Sequence, residues 1–155
     1  MRKKEEILKK VFPGLTSDIH FKITSPYDEN YNCIAWAAFH TDYWLWPPGG
    51  FRLDGVSFYW PTGVPKDDKL SSFIRMYETY EYTLCDSWEL EEGHRKIAIY
   101  VKTDGITVTH ASRQLKDGRW TSKLGKENDI QHGNPYSIEG IAYGRVGAFM
   151  KKKLE

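Results

Sequence analysis

A chain of 155 residues with 40% hydrophobic and 28% charged side chains holds enough apolar material to close a core of its own, far from the composition of a disordered segment. Its 22 basic and 21 acidic side chains leave a formal net charge of +1, so no global field selects nucleic acid or an anionic membrane, and a partner must be recognised locally. The opening MRKKEEILKKVF is charged throughout, no apolar run is long enough to span a bilayer, and the two cysteines, Cys33 and Cys85, lack C-x-x-C spacing. One domain over residues 1–155, a cytoplasmic setting, free thiols, and no metal or cofactor are therefore expected.

Ile7, Leu8, Val11 and Phe12 recur at helical spacing until Pro13-Gly14 stops them, which predicts a short amphipathic helix over 5–12. After a loop rich in Ser, Pro, Asp and Asn, the run from Cys33 to Phe39 is apolar on every side, as a helix buried in a core requires, with Asn30 and Asn32 as ready caps. Residues 47–65 read as a long surface loop rich in Pro and Gly. The aromatics clustered around it, Trp46 and Trp60 among them, either fill the core or wall a ligand groove. Behind Asp67 and Asp68, the steps Leu70, Phe73, Ile74, Tyr77 and Tyr80 predict a further helix.

The second half changes period. Residues 97–102, 106–114 and 120–124 are β-type runs separated by Asp104-Gly105 and Asp117-Gly118, which predicts an antiparallel meander. Residues 80–85 and 143–151 suggest flanking strands. The fold class that follows is α+β, with N-terminal helices, one buried and beginning at Cys33, packed on an antiparallel β-meander.

Cys33 falls in the first turn of its helix, where unpaired backbone N–H groups and the helix dipole favour a thiolate. Along 106–110, alternation places Ile106, Val108 and His110 on one face, so a buried helix covering that face would bring thiol and imidazole together for nucleophilic catalysis. The plain alternative is a small buried hydrophobe and a satisfied core histidine. A two-residue turn at Asp117-Gly118 would put Thr121 and Lys123 on the His110 face, whereas a bulged turn would put Ser122 there. Ser122 and His132, the latter in a polar loop, are thus candidates for a third catalytic residue, with Gln114 reachable only if the strand bends. The Cys33 N–H with a side chain from Asn30, Tyr31 or Asn32 could form an oxyanion hole, or these residues only cap. Glu89, Glu91, Glu92 and His94 read as a solvated turn rather than a metal site, Cys85 as structural, and Lys151 to Lys153 as a solubilising end.

The strings from Tyr31 to Ala37, Lys96 to Tyr100, Thr109 to Leu115 and Trp120 to Gly125 resemble an uncharacterised family of bacterial single-domain proteins, a likeness spanning most of the chain. More distantly, a cysteine opening a helix and a histidine on a later strand resemble the papain-like cysteine hydrolases, NlpC-type cell-wall peptidases among them. That resemblance implies Cys33 as nucleophile, His110 as general base, and a cysteine amidase or peptidase acting on a peptide or amide; in such an enzyme the aromatic residues Trp36, Trp46 and Trp60 would wall the substrate groove. The chain departs from the pattern at the third residue, for which no obvious candidate follows His110. The alternative is a non-catalytic interaction, immunity-type or regulatory module on the same scaffold.

Overall fold

The computed structural model describes residues 2–25, 32–38, 44–47, 50–51, 57–124 and 129–154. The fold is α+β, and its frame is one antiparallel sheet of seven strands. In chain order these are β1 (Lys22–Ser25), β5 (Thr83–Cys85), β6 (His94–Val101), β7 (Val108–Gln114), β8 (Trp120–Lys123), β9 (Asp129–His132) and β10 (Arg145–Lys153). Their spatial order is β1-β9-β8-β7-β6-β10-β5. The expected meander β6-β7-β8 is its centre, while β1 and β9 extend it at one end and β10 and β5 at the other. Three short strands, β2 (Trp44–Leu45), β3 (Gly50–Phe51) and β4 (Ser57–Tyr59), form a second, small sheet, the latter two within the stretch 47–65 expected to be loop.

Helices cover both faces of the large sheet. On one side α2 (Cys33–Ala37) and α3 (Leu70–Glu78) pack against Ile97, Ile99, Val101, Ala111 and Met150. On the other, α1 (Arg2–Val11) leads into 3₁₀ turns at Pro13–Ser17 and Pro135–Ile138, which with Phe12, Leu15 and Ile138 cover Ala98, Tyr100, Trp120 and Ile130. Because side chains alternate along β6, this one strand serves both cores: Ile97, Ile99 and Val101 point one way, Ala98 and Tyr100 the other. Fully burying each such aliphatic side chain is worth about 1.5–3 kcal/mol.

Local chemistry explains the helix limits. Asn32 Oδ1 accepts from Ala35 N–H at 3.0 Å, capping α2, and the same carboxamide exchanges hydrogen bonds with both the N–H and C=O of Leu45. Asp67 accepts from the Ser72 hydroxyl and the Lys69 N–H ahead of α3. The stripe read along α1 is only half used, since Leu8 and Phe12 pack while Ile7 and Val11 are 52% and 44% exposed.

The decisive irregularity lies on β7. Tyr100 pairs with His110, but Val101 pairs with Val108, so Thr109 is an extra residue bulged out of the ladder. Val108 and Ala111 consequently point to the α2 face, and His110 and Ser112 to the other. The even alternation expected for Ile106, Val108 and His110 is broken here, and Ile106 lies outside the strand, 52% exposed.

Candidate functional site

Cys33 opens α2 and is 9% exposed. Burial pushes its thiol up to about 11, against the pull of the Ala111, Ile34 and Cys33 N–H groups and the charge of Lys123. α2 is only five residues long, so its dipole cannot offset that desolvation as a longer helix would. Tyr77 seals the same side by donating its hydroxyl to the Ile34 carbonyl at 2.9 Å. Lys123 is fully buried and stands directly opposite Asp129, itself 3% exposed, in the β8–β9 register.

His110 lies across the sheet from Cys33. It is fully buried, its ring stacked on Tyr143 with centroids 4.1 Å apart and planes 4° from parallel, and Tyr100 flanks it at 5.3 Å. Neither ring nitrogen has a hydrogen-bond partner, and burial holds the imidazole well below its ordinary pKa, with the nearby His132 a further contribution. The expected pairing of Cys33 with His110 is therefore not assembled, because the Thr109 bulge turns the imidazole away from α2.

The candidate third residues meet each other instead. Arg113 pairs with Thr121 and Gln114 with Trp120, which places Ser122 on the His110 side, as the longer turn required. Ser122 Oγ lies 2.8 Å from His132 Nε2, and His132 Nδ1 lies 2.8 Å from the Asn134 carbonyl. That carbonyl only accepts, so Nδ1 carries the proton and Nε2 accepts from the serine hydroxyl. His132 is not in a loop but ends β9, fully buried, and burial lowers its pKa to about 4 although Asn134 and the charge of Asp18 pull it upward. Asp18 accepts from the Gly133 and His20 N–H groups and the Ser137 hydroxyl, and these bonds outweigh burial and hold its carboxyl below the usual range. Tyr100 completes the network, donating to the Pro135 carbonyl at 2.6 Å with Ser112 Oγ at 3.1 Å. Gln114 donates to the Trp88 and Gly118 carbonyls, far from any catalytic role beside His110.

Asn32 spends its side chain on Ala35 and Leu45, so it is not free to bind an oxyanion; Tyr31 and Asn30 lie outside the described residues. Trp46 and Trp60 pack on Phe73 at 5.4 and 5.0 Å between centroids, in the core rather than along a groove. Trp36 lies under the Arg113 guanidinium at 3.8 Å. Glu91, read as part of a solvated turn, bonds Lys151 at 2.9 Å and approaches Lys96 and His94 at 3.5 and 3.2 Å, tying that turn to β10 and β6. Lys151 to Lys153 likewise belong to β10 rather than to a loose end.

A groove of about 880 Å³ lies at one end of the sheet, bounded by Leu90, Arg95, Arg113, Gln114, Leu115 and Leu154. Of the sequence-derived catalytic candidates, Gln114 lines it, while Cys33, His110, Ser122 and His132 do not. Among the described residues no group of His, Cys, Asp and Glu is arranged to hold a metal ion, and no helix is long and apolar enough to cross a membrane.

Two signals escaped the sequence. A β-bulge without glycine leaves no local mark, and neither Tyr143 nor Asp18 stands near His110 or His132 along the chain. Neither the curated proteins nor the solved structures offer a match to this chain. A family model does match residues 22–151, and the chain accordingly belongs to the family described as Domain of unknown function (DUF7689).

Proposed function

We propose that this protein is a non-catalytic interaction module, and that the papain-like layout suggested by its sequence is used for packing rather than for acyl transfer. The observation that carries this reading is the position of Cys33 and His110 on opposite faces of the sheet, with the thiol raised to about 11 by burial. The binding surface in this reading is the groove at the sheet end, and its occupant is an extended peptide. Leu90 and Leu154 offer 53% and 40% exposed apolar surface there. Glu92 and Asp117 alternate with Arg95 and Lys116 around them, a mixed-sign rim that suits a polypeptide better than a polyanion.

Thiol alkylation tests the catalytic half. Iodoacetamide should modify Cys33 more slowly than the half-buried Cys85, with no acceleration below neutral pH and no change in His110→Ala. Rapid labelling of Cys33 at pH 6 that is lost in His110→Ala returns the hydrolase reading. The groove is read independently with a solvatochromic dye such as ANS, whose binding to the native protein should fall at least about twofold in Leu90→Lys and Leu154→Lys.

A further inference from the structure

Among the described residues, His110 is buried with both ring nitrogens lacking a hydrogen-bond partner. A neutral imidazole carries one N–H donor and one acceptor, and neither finds a partner although the residue is fully buried. Its flat contact is with Tyr143, which sits in the turn 140–144. That turn is closed by reciprocal backbone bonds, Gly140 N–H to Gly144 C=O at 2.9 Å and Gly144 N–H to Gly140 C=O at 2.7 Å. Thr109, the bulged residue beside His110, donates its hydroxyl to the Tyr143 carbonyl. The turn presents Ile141 wholly to solvent and packs inward through Tyr143, which also meets Phe12 at 5.1 Å.

We propose that His110 and Tyr143 form an acid-released latch, in which protonation of the imidazole expels Tyr143 and frees the turn 140–144 with its exposed Ile141. A second proton gives His110 two donors and a charge where, among the described residues, neither nitrogen has a hydrogen-bond partner. The groups facing it are Tyr100 from β6, His132 from β9 and Tyr143 from the turn, with Ser112 alongside on β7. The Tyr100 hydroxyl is already spent on Pro135 and Ser112. Farther out, Asp18 acts on His132, and Glu139 and Tyr136 act on Tyr100. No carboxylate among the described residues is bonded to His110, so the charged ring reaches water only by displacing its cover.

Amide hydrogen exchange on the full chain tests the latch. Once the turn is open the imidazole has its ordinary pKa, so each pH unit below about 6.5 should raise the opening constant reported by the Gly140 and Gly144 amides about tenfold. Their protection should stay below that of the central Ile99 amide, which marks the opening as local. His110→Phe keeps a ring against Tyr143 and removes the titration, so protection of the turn should become independent of pH. Turn amides that exchange in step with Ile99, or a pH slope retained in His110→Phe, would overturn the proposal. If that variant does not fold, the His110 ring followed by NMR in the wild-type chain decides: a titration at or above 6.5 sinks the latch.

Discussion

The two faces of the central sheet bury different material. Under α2 and α3 the strands present Ile97, Ile99, Val101, Ala111 and Met150, and Cys33 joins that core as one more small hydrophobe. Under α1 and the two 3₁₀ turns they present Tyr100, Ser112, Ser122 and His132, tied by hydrogen bonds to one another and to Pro135 and Asn134 while Asp18 holds the adjoining turn, and beside them His110, which only stacks on Tyr143. The comparison teaches that a single extra residue in β7 decides which core receives the histidine, and that the same chemistry-bearing residues read as a site or as a brace according to that one choice.

The most severe way to break the difference is to delete Thr109. Closing the bulge would turn either Val108 or the run from His110 to Gln114 to the wrong core, so the deletion should abolish cooperative thermal unfolding followed by circular dichroism. Next comes Asp18→Ala. Three donors lose their acceptor, two of them backbone N–H groups, and stability in urea should fall by about 2–3 kcal/mol; a loss below about 0.5 kcal/mol would show that water replaces the carboxylate.

Acidification should separate the faces without mutation. His132 has a folded pKa near 4 against an unfolded value near 6.5, and that of His110 is also depressed. Their neutral forms are stable above pH 6.5, and stability declines as pH falls from there toward the folded values, by about 1.4 kcal/mol per pH unit for each histidine. His132→Asn should halve that slope in denaturant melts between pH 6.5 and 5. Cys33→Ala, a small cavity on the apolar face, should cost about 1 kcal/mol with no change in the pH slope. The smallest effect belongs to Ile141→Ser, whose side chain touches neither core and should leave the melting midpoint within about 0.5 kcal/mol of wild type.

Much of the frame was legible because it obeys periodicity. Asn32 as cap, α2 beginning at Cys33, α3 beginning at Leu70, and the strands β6, β7 and β8 follow from apolar spacing and turn residues. β1, β9 and the two-residue strands near Trp44 and Gly50 were not, since so short a segment stands out only beside a turn signal such as the Asp117-Gly118 that precedes β8. The placement of Ser122 on the His110 side was one of two outcomes tied to turn length. The association of His132 with Ser122, and the separation of Cys33 from His110, depend on pairing and bulging between segments, which a single strand's alternation does not encode.

The aspartate clamp has a bearing on how the family's shared region could be handled. Phe12, Leu15 and Asp18 all precede residue 22, where the family match begins, yet they help cover one side of the sheet and hold Gly133 and Ser137 in place. A version trimmed to 22–151 would keep every strand through Lys151 and uncover Trp120 and Ile130. Relatives without an equivalent leading segment must roof that side with something else, or carry a different set of side chains there.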